Sequence, residues 1–353
     1  MIIPDRVLVL GCGGIGGTVA AHLSAQGVDV CVVSRNPDVA QAVNTRGFEL
    51  SGIGVEGTRR VPGTVCTRIP PGAVYDLVLL ATQPPDLESA ARQVLPHLAP
   101  QARVVTLPNG LPEERVAAVL GDRVRVIGAI VGWGASSPAP GVFERTSEGG
   151  FVLGRLDGAP DPVLDRLAVL LAPIGPVERS DNLRGARWSK LALNCAISSL
   201  GTLGGDRLGV LMRDRQTRRL ALEVMTEVVE VARAERISLP KLAGTLDLEW
   251  LALTEQERRV KGSLSLAAKH ALLLVVGLRY RRMRSSMLAA LERGRPAAVA
   301  FLNGEVTERA ARHGLATPVN DAVLARVSTL KPTGAPTHHL LARLYADTRV
   351  AVA

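Results

Sequence analysis

Residues 7–17 read VLVLGCGGIGG, and the next apolar run, Val28–Val33, ends at Ser34-Arg35 and not at an acidic residue. The run Arg6–Leu10 is short, apolar and β-branched, the composition of a buried parallel strand. Gly11, Gly13 and Gly16 then supply G-x-G-x-x-G. The first glycine allows the tight turn, the second lets the backbone approach a pyrophosphate, and the third lets a helix pack close to the strand. The helix expected next, Val19–Gln26, would direct N–H groups at the phosphates. Glycine-rich turns are common, but between two strands and before a helix this one reads as a dinucleotide site. The turn residues Gly11, Cys12, Gly13, Gly14, Ile15 and Gly16 are its candidates.

Arg35 sharpens the reading. NAD-binding chains place Asp or Glu near this position, where it accepts from the ribose hydroxyls. A carboxylate repels a 2′-phosphate, whereas a guanidinium grips one through paired N–H donors. The expected cofactor is therefore NADPH; the plainer alternative is a solvated surface arginine.

With 353 residues the chain is long enough for two domains, each with its own core. A hydrophobic content of 47% excludes wholesale disorder. The net charge of +9 comes mostly from arginine and would steer an anionic cofactor and a carboxylate substrate. Nucleic acid is not an expected partner: aromatics are only 3% of the chain, and no basic run is interleaved with stacking residues. Cys12, Cys31, Cys66 and Cys195 form no C-x-x-C pair and read as small buried thiols of a reducing compartment. A strand beginning at Arg6 leaves no room for a leader, and no apolar stretch reaches spanning length, so the expected location is cytoplasmic.

The first half alternates strand and helix patterns. Asp76–Ala81 is a further buried strand, followed by Thr82-Gln83-Pro84-Pro85 and a helix over Leu87–Leu98. Arg103–Leu107 ends at Pro108-Asn109-Gly110, Val124–Val131 follows, and Gly141–Arg145 with Gly150–Gly154 reads as an antiparallel pair. Repeated βα units predict an α/β, Rossmann-type doubly wound sheet with ligands at the carboxyl ends of its strands. From Asn182 the patterns are helical: Leu183–Thr202, Arg213–Glu235, Leu264–Arg281, Ser285–Glu292, Val299–His313 and Val319–Thr329. The expected organisation is a dinucleotide-binding domain over 1–181 and a helical substrate and dimerisation domain over 182–353. The two would meet along a broad face and leave a cleft. Within the second, Glu255–Arg284 is an apolar core bracketed by arginines. It reads as an extra amphipathic helix with solvated ends, ahead of a subunit contact or a membrane surface.

A nicotinamide-dependent reductase needs a proton donor facing the carbonyl oxygen and groups that grip the substrate. Lys190, Asn194 and Ser198 recur at i, i+4 and i+8 on the first helix of the second half and share one face. A lysine among Leu191, Leu193, Ala196, Ile197 and Leu200 either has a partner or task or snorkels from the helix rim to water. Asn109-Gly110 lies where a sheet presents groups to a ligand, or is a plain turn. Ser285-Ser286 caps the helix that follows or holds a carboxylate.

Taken in order, LGCGGIGG at the start, LPNG at 107–110, PGVFERTSEGGFVLG at 140–154, NLRGARWSKLALNCAI at 182–197, SSML at 285–288 and FLNGEVTERAARHGLATP at 301–318 make the chain resemble the ketopantoate (2-dehydropantoate) reductase family over almost its whole length. The resemblance implies hydride transfer from NADPH to the 2-oxo group of ketopantoate, giving pantoate for coenzyme A synthesis. It implies that Lys190 is the general acid, that Asn109 lies beside nicotinamide and substrate, and that Asn194 binds substrate. It further implies that Ser286 holds the substrate carboxylate and Arg35 the 2′-phosphate. Ser198 replaces a second family asparagine, and Gln83, a further expected cofactor contact, lies where the family has a lysine-bearing run.

The largest departure is at Ala298, twelve residues after Ser286, where the family carries an active-site glutamate; Ala300 offers no replacement. A site that loses a specific polar partner can lose selectivity heavily. The alternative expectations are therefore a reductase for a bulkier or more apolar 2-oxo acid or imine, and a non-catalytic NADP-binding protein. No metal site is expected, and a homodimer suits the architecture.

Overall fold

The alternation Val7, Leu8, Val9, Leu10 sends successive side chains to opposite faces of a strand, and all four are buried. Val7 and Val9 enter one core, Leu8 and Leu10 another, so this strand is covered on both faces. The computed structural model describes residues 6–122, 124–241, 246–259, 262–331 and 338–350. It divides into two compact units, Met1–Arg184 and Gly185–Ala353.

The strands of the first unit are β1 (Val7–Leu10), β2 (Val30–Val33), β3 (Phe48–Gly52), β4 (Arg59–Val61), β5 (Val65–Cys66), β6 (Tyr75–Leu80), β7 (Leu98–Thr106), β8 (Arg125–Val131), β9 (Ala135–Ala139), β10 (Val142–Arg145), β11 (Phe151–Gly154) and β12 (Val177–Arg179). Its helices are α1 (Gly14–Ala25), α2 (Pro37–Arg46), α3 (Leu87–Val94), α4 (Pro112–Leu120) and α5 (Val163–Leu171). An eight-stranded sheet runs β12-β11-β8-β7-β6-β1-β2-β5. It is parallel from β8 to β5, with β11 antiparallel to β8 and β12 parallel to β11. The chain leaves β1 toward β2 and later returns to β6 on its other side, which puts the switch of strand order between β1 and β6.

A four-stranded sheet, β4-β3-β10-β9, was not expected. Nor do the segments read as an antiparallel pair meet: Val142–Arg145 pairs with Glu49–Gly52 and with β9, while Phe151–Gly154 pairs with Gly128–Val131. Alternation shows that a strand has an apolar face but not which core takes it. Phe143 packs 5.9 Å from the Phe48 ring, and Phe151 meets Trp133 edge-on at 5.7 Å.

Helix α1 starts at Gly14, five residues before the expected Val19. Its glycines serve contact. A Cβ on Gly16 would lie 1.9 Å from the Gly11 carbonyl oxygen, and one on Gly17 would lie 2.1 Å from the Phe143 ring. Strand and second sheet thus both touch the first turns of α1, and packing overrides the poor helix propensity.

The second unit is helical in its described residues: α6 (Leu183–Gly204), α7 (Leu208–Leu211), α8 (Arg215–Ala234), α9 (Leu248–Leu251), α10 (Glu255–Arg259), α11 (Leu264–Arg279), α12 (Ser286–Glu292), α13 (Asn303–Arg312), α14 (Pro318–Ser328) and α15 (His338–Val350). The helix expected over 299–313 is broken. Ala298–Phe301 is a 3-10 turn, and Leu302, at φ −121° and ψ −91°, redirects the chain so that Asn303 enters a buried hydrogen-bond network.

In segment 255–284, apart from Val260 and Lys261, which lie outside the described residues, the charged ends are exposed, Glu255 and Arg259 at one and Arg279, Arg281, Arg282 and Arg284 at the other, but the middle of α11 is not polar toward solvent. Lys269 and His270 of α11 point inward, while Leu264, Val275 and Leu278 are exposed. Lys269 Nζ pairs with Glu257 at 2.6 Å and donates to the Ala252 carbonyl at 2.7 Å. Burial, with Arg218, Arg215 and Arg219 nearby, pushes the His270 imidazole down from 6.5 to about 4.

The unfolded chain binds the His270 proton at higher pH than the folded one. Its contribution to stability is therefore full above pH 6.5 and is lost as pH falls toward about 4. Urea midpoints should decline over that window, and His270→Leu should flatten the decline. Gly17→Ala should cost about 1–3 kcal/mol through overpacking against Phe143. Its cost combined with Phe143→Leu should fall short of the sum of the single changes, as a double-mutant cycle in urea would read.

Candidate active site

Register aligns the carboxyl ends of the central strands. Leu10 sits opposite Val33 and Leu80, and Leu80 opposite Thr106. The loops after β1, β2, β6 and β7 therefore leave the sheet along one edge. They carry Gly11–Gly16, Arg35, Thr82–Asp86 and Asn109.

Gly11 donates its N–H to the Val33 carbonyl at 2.9 Å and holds φ +108°, which only glycine adopts at ease. Gly13 begins α1 without a side-chain cap, and the first turn carries no acidic residue. A Cβ on Gly13 would meet nothing within 4 Å, so the backbone is open on that side. Ile15 packs partly into the core. An uncapped helix start on an open glycine turn suits an anionic phosphate. Thr82 Oγ1, buried and without a hydrogen-bond partner among the described residues, adds an unsatisfied group beside the same turn, since a Cβ on Gly11 would lie 2.9 Å from Thr82 N. These features fit a dinucleotide.

Cys12 offers backbone, not sulfur. Its side chain lies in the core, and burial pushes the thiol up to about 12. Gln83 is exposed at the start of the 3-10 turn Pro84–Asp86, and its carbonyl accepts from Asp86 N at 3.0 Å. Asn109 is half-buried, and the following Gly110 holds φ +90°. Arg35 is exposed, and its Nη2 lies 2.5 Å from Asp86 Oδ2.

In the second unit, α6 carries the other candidates. From Gly185 to Gly204 every residue is buried except Lys190, Leu193, Asn194, Ile197 and Ser198. These five make one stripe at helical spacing. Trp188 turns the other way and is wholly buried, with the Arg309 guanidinium 5.7 Å from its ring centroid. The back of α6 is held by a chain of buried polar groups. Ser199 donates to Asn303 at 2.5 Å, the Asn303 amide donates to Asn320 at 2.8 Å, and the Asn320 amide donates to Glu227 at 2.7 Å. The stripe's rotation is fixed by that chain.

Asn194 is half-buried, and its Nδ2, itself buried, has no hydrogen-bond partner among the described residues, an unsatisfied group of the kind that marks a functional position. Ser285 joins α12 to the same helix. Its hydroxyl donates to the Ser198 carbonyl at 2.7 Å, lies 2.9 Å from Thr202 Oγ1, and accepts from Leu288 N at 3.2 Å as the cap of α12. That anchor leaves Ser286 exposed as the first residue of α12.

Ala298 is half-buried at the start of its 3-10 turn. The glutamates that flank it in sequence, Glu292 and Glu305, are both ion-paired. Glu292 pairs with Arg284 at 2.7 Å, and Glu305, buried, pairs with Arg309 at 2.9 Å. Sequence reading missed Thr82, Asp86 and the Asn303–Asn320–Glu227 chain. Asp86 carried one signal, an acid placed after Pro84-Pro85 on a loop at the carboxyl edge. The network carried none, because its members are far apart in sequence.

Residues 7–158 match the family described as ketopantoate reductase PanE/ApbA, and residues 182–331 match the C-terminal part of the same family. A 2-dehydropantoate 2-reductase of Mesorhizobium japonicum is 28% identical over 349 residues, covering 92% of this chain and 97% of the relative. One of Pyrococcus abyssi is 26% identical over 321 residues, covering 89% and 94%. The crystal structure of a PanE/ApbA family ketopantoate reductase from Ralstonia eutropha is similar with a TM-score of 0.76 and 26% identity, covering 98% of this chain and 99% of that one.

Ser285→Ala removes a cap and a tether and should lower stability by about 1–2 kcal/mol. Ser286→Ala, on an exposed residue, should change it by less than about 0.5 kcal/mol. Urea denaturation of the two variants checks the difference.

Proposed function

Because the chain belongs to the ketopantoate reductase family, we propose that it reduces the 2-oxo group of 2-dehydropantoate to give pantoate, drawing on NADPH. The observation that carries this reading is the stripe of α6, where Lys190, Asn194 and Ser198 are half-buried polar residues on an otherwise buried helix and the Asn194 amide nitrogen has no partner among the described residues. NADPH, when bound, supplies the hydride that reaches the carbonyl carbon. Gly11, Cys12, Gly13, Gly14, Ile15 and Gly16 would hold its pyrophosphate through backbone N–H groups, and Arg35 and Gln83 would contact it from the loops after β2 and β6. Residues 1–181 thus serve as the cofactor domain, and 182–353 as the substrate and dimerisation domain.

Lys190 donates a proton to the carbonyl oxygen as negative charge develops there. Asn194 and Ser198, one and two turns further along, hydrogen-bond the substrate. Ser286 holds its carboxylate, and Asn109 orients both reactants. Such groups act mainly by position and by being fixed before the substrate arrives. A cytoplasmic place in coenzyme A precursor synthesis follows from this reading.

A second reading is favoured by Ala298. With Glu292 and Glu305 already ion-paired, the hydroxyl of 2-dehydropantoate lacks its family acceptor. A less polar pocket of this kind suits a bulkier or more apolar 2-oxo acid, or an imine.

The test follows NADPH absorbance with 2-dehydropantoate and a panel of larger 2-oxo acids. Lys190→Ala should lower kcat by about 10²–10⁴-fold while leaving NADPH affinity unchanged. A kcat/KM highest for 2-dehydropantoate supports the first reading, and one highest for a larger acid supports the second. Tight NADPH binding without turnover of any substrate overturns both and leaves a non-catalytic binding protein.

A further inference from the structure

The loop after β2 places Arg35 by local rules. Ser34 N donates to the Cys66 carbonyl at 2.9 Å, and the Asn36 side chain caps α2 by accepting from Asp38 N at 2.9 Å. Arg35 is held between these anchors at the carboxyl edge, the position that sorts phosphorylated from unphosphorylated dinucleotides. Its side chain does not stand alone there. The loop after β6, which enters its 3-10 turn through Pro84-Pro85, brings Asp86 Oδ2 to 2.5 Å from Arg35 Nη2.

We infer that Asp86 is a cofactor-specificity residue which, by engaging Arg35, weakens the chain's preference for NADPH and lets NADH compete. The inference rests on the dinucleotide reading of the first unit and goes beyond it in naming what sets the choice of dinucleotide. Arg35 recognises a 2′-phosphate through its N–H donors, and Asp86 already occupies one edge of that fork. A phosphate arriving there meets a fixed negative charge as well as the guanidinium, and each ångström of approach to Arg35 is also an approach to Asp86. An unphosphorylated ribose carries no charge and suffers neither competition nor repulsion. The pair is solvent-exposed, with 79% of the Arg35 and 36% of the Asp86 side-chain surface accessible, so its influence is screened by salt. Asp86 acts through Arg35, which makes it a positioning residue for the cofactor.

The experiment is isothermal titration calorimetry of the full chain with NADPH and NADH, without substrate, for wild type, Asp86→Asn, Arg35→Gln and the double variant. Asp86→Asn should tighten NADPH about tenfold and leave NADH nearly unchanged, the size expected of one charge near a phosphate in water. The gain should shrink in the Arg35→Gln background, where only the direct repulsion between Asp86 and the phosphate remains, and shrink in about 0.5 M salt. Asp86→Ser, with urea midpoints for each variant, separates loss of charge from loss of fold. If both dinucleotides bind and their affinity ratio moves by less than about twofold on Asp86→Asn, which is within what a weak surface pair can do, the inference is overturned and the dinucleotide reading stands. If neither binds the wild type, the reading fails and takes the inference with it.

Discussion

The second unit depends on one chain of buried hydrogen bonds, from Ser199 through Asn303 and Asn320 to Glu227. A helix as apolar as α6 can bury itself at several rotations with little difference in area. Polar groups cannot: each buried donor or acceptor left unmatched costs about 1–3 kcal/mol. The chain therefore selects one rotation, and with it the stripe that stays accessible. Glu227 closes the chain by accepting from Val319 N at 2.9 Å and Asn320 N at 2.8 Å, which seats the first turn of α14 on α8. Burial pushes its carboxyl up to about 7 against the hydrogen bonds that hold it down, so the charge on this group is finely balanced.

In the first unit the corresponding constraint is steric. α1 is gripped from two sides, by the β1 turn at Gly16 and by Phe143 at Gly17. The second sheet stands against α1 through Phe143 at Gly17, one turn after the open position at Gly13. A rigid helix start needs no side-chain cap to hold its shape, and its donors stay available for an anion. The sheet edge then determines which loops surround that helix start, because register aligns the strand ends to within a residue.

Much of this was legible in the residues. The apolar run before Gly11 and the glycine spacing were enough for a parallel strand and a turn at its end, because backbone sterics allow few alternatives there. Lys190, Asn194 and Ser198 shared a face by arithmetic alone. Pairing was not legible. Val142–Arg145 and Phe151–Gly154 lie close in sequence and both alternate, yet the aromatic partners Phe48 and Trp133 draw them into different sheets. Glycines 14–17 look like a reason not to start a helix until the neighbours that require them are known. Segment 255–284 read as an amphipathic helix with solvated ends, and its end arginines are exposed, whereas Lys269 in the middle of α11 turns inward because Glu257 and the Ala252 carbonyl compensate it there. In each miss the deciding partner lay elsewhere in the chain.

Cys12 shows how a reactive element can sit in a glycine turn and stay inert. Its sulfur faces the core, and burial holds the thiol protonated. Peroxides and electrophiles attack the thiolate of an accessible cysteine, and this one is neither ionised nor reachable. The thiol between β1 and α1 is therefore expected to react more slowly than an exposed one. Alkylating reagents aimed at the chain's cysteines would leave the glycine turn untouched.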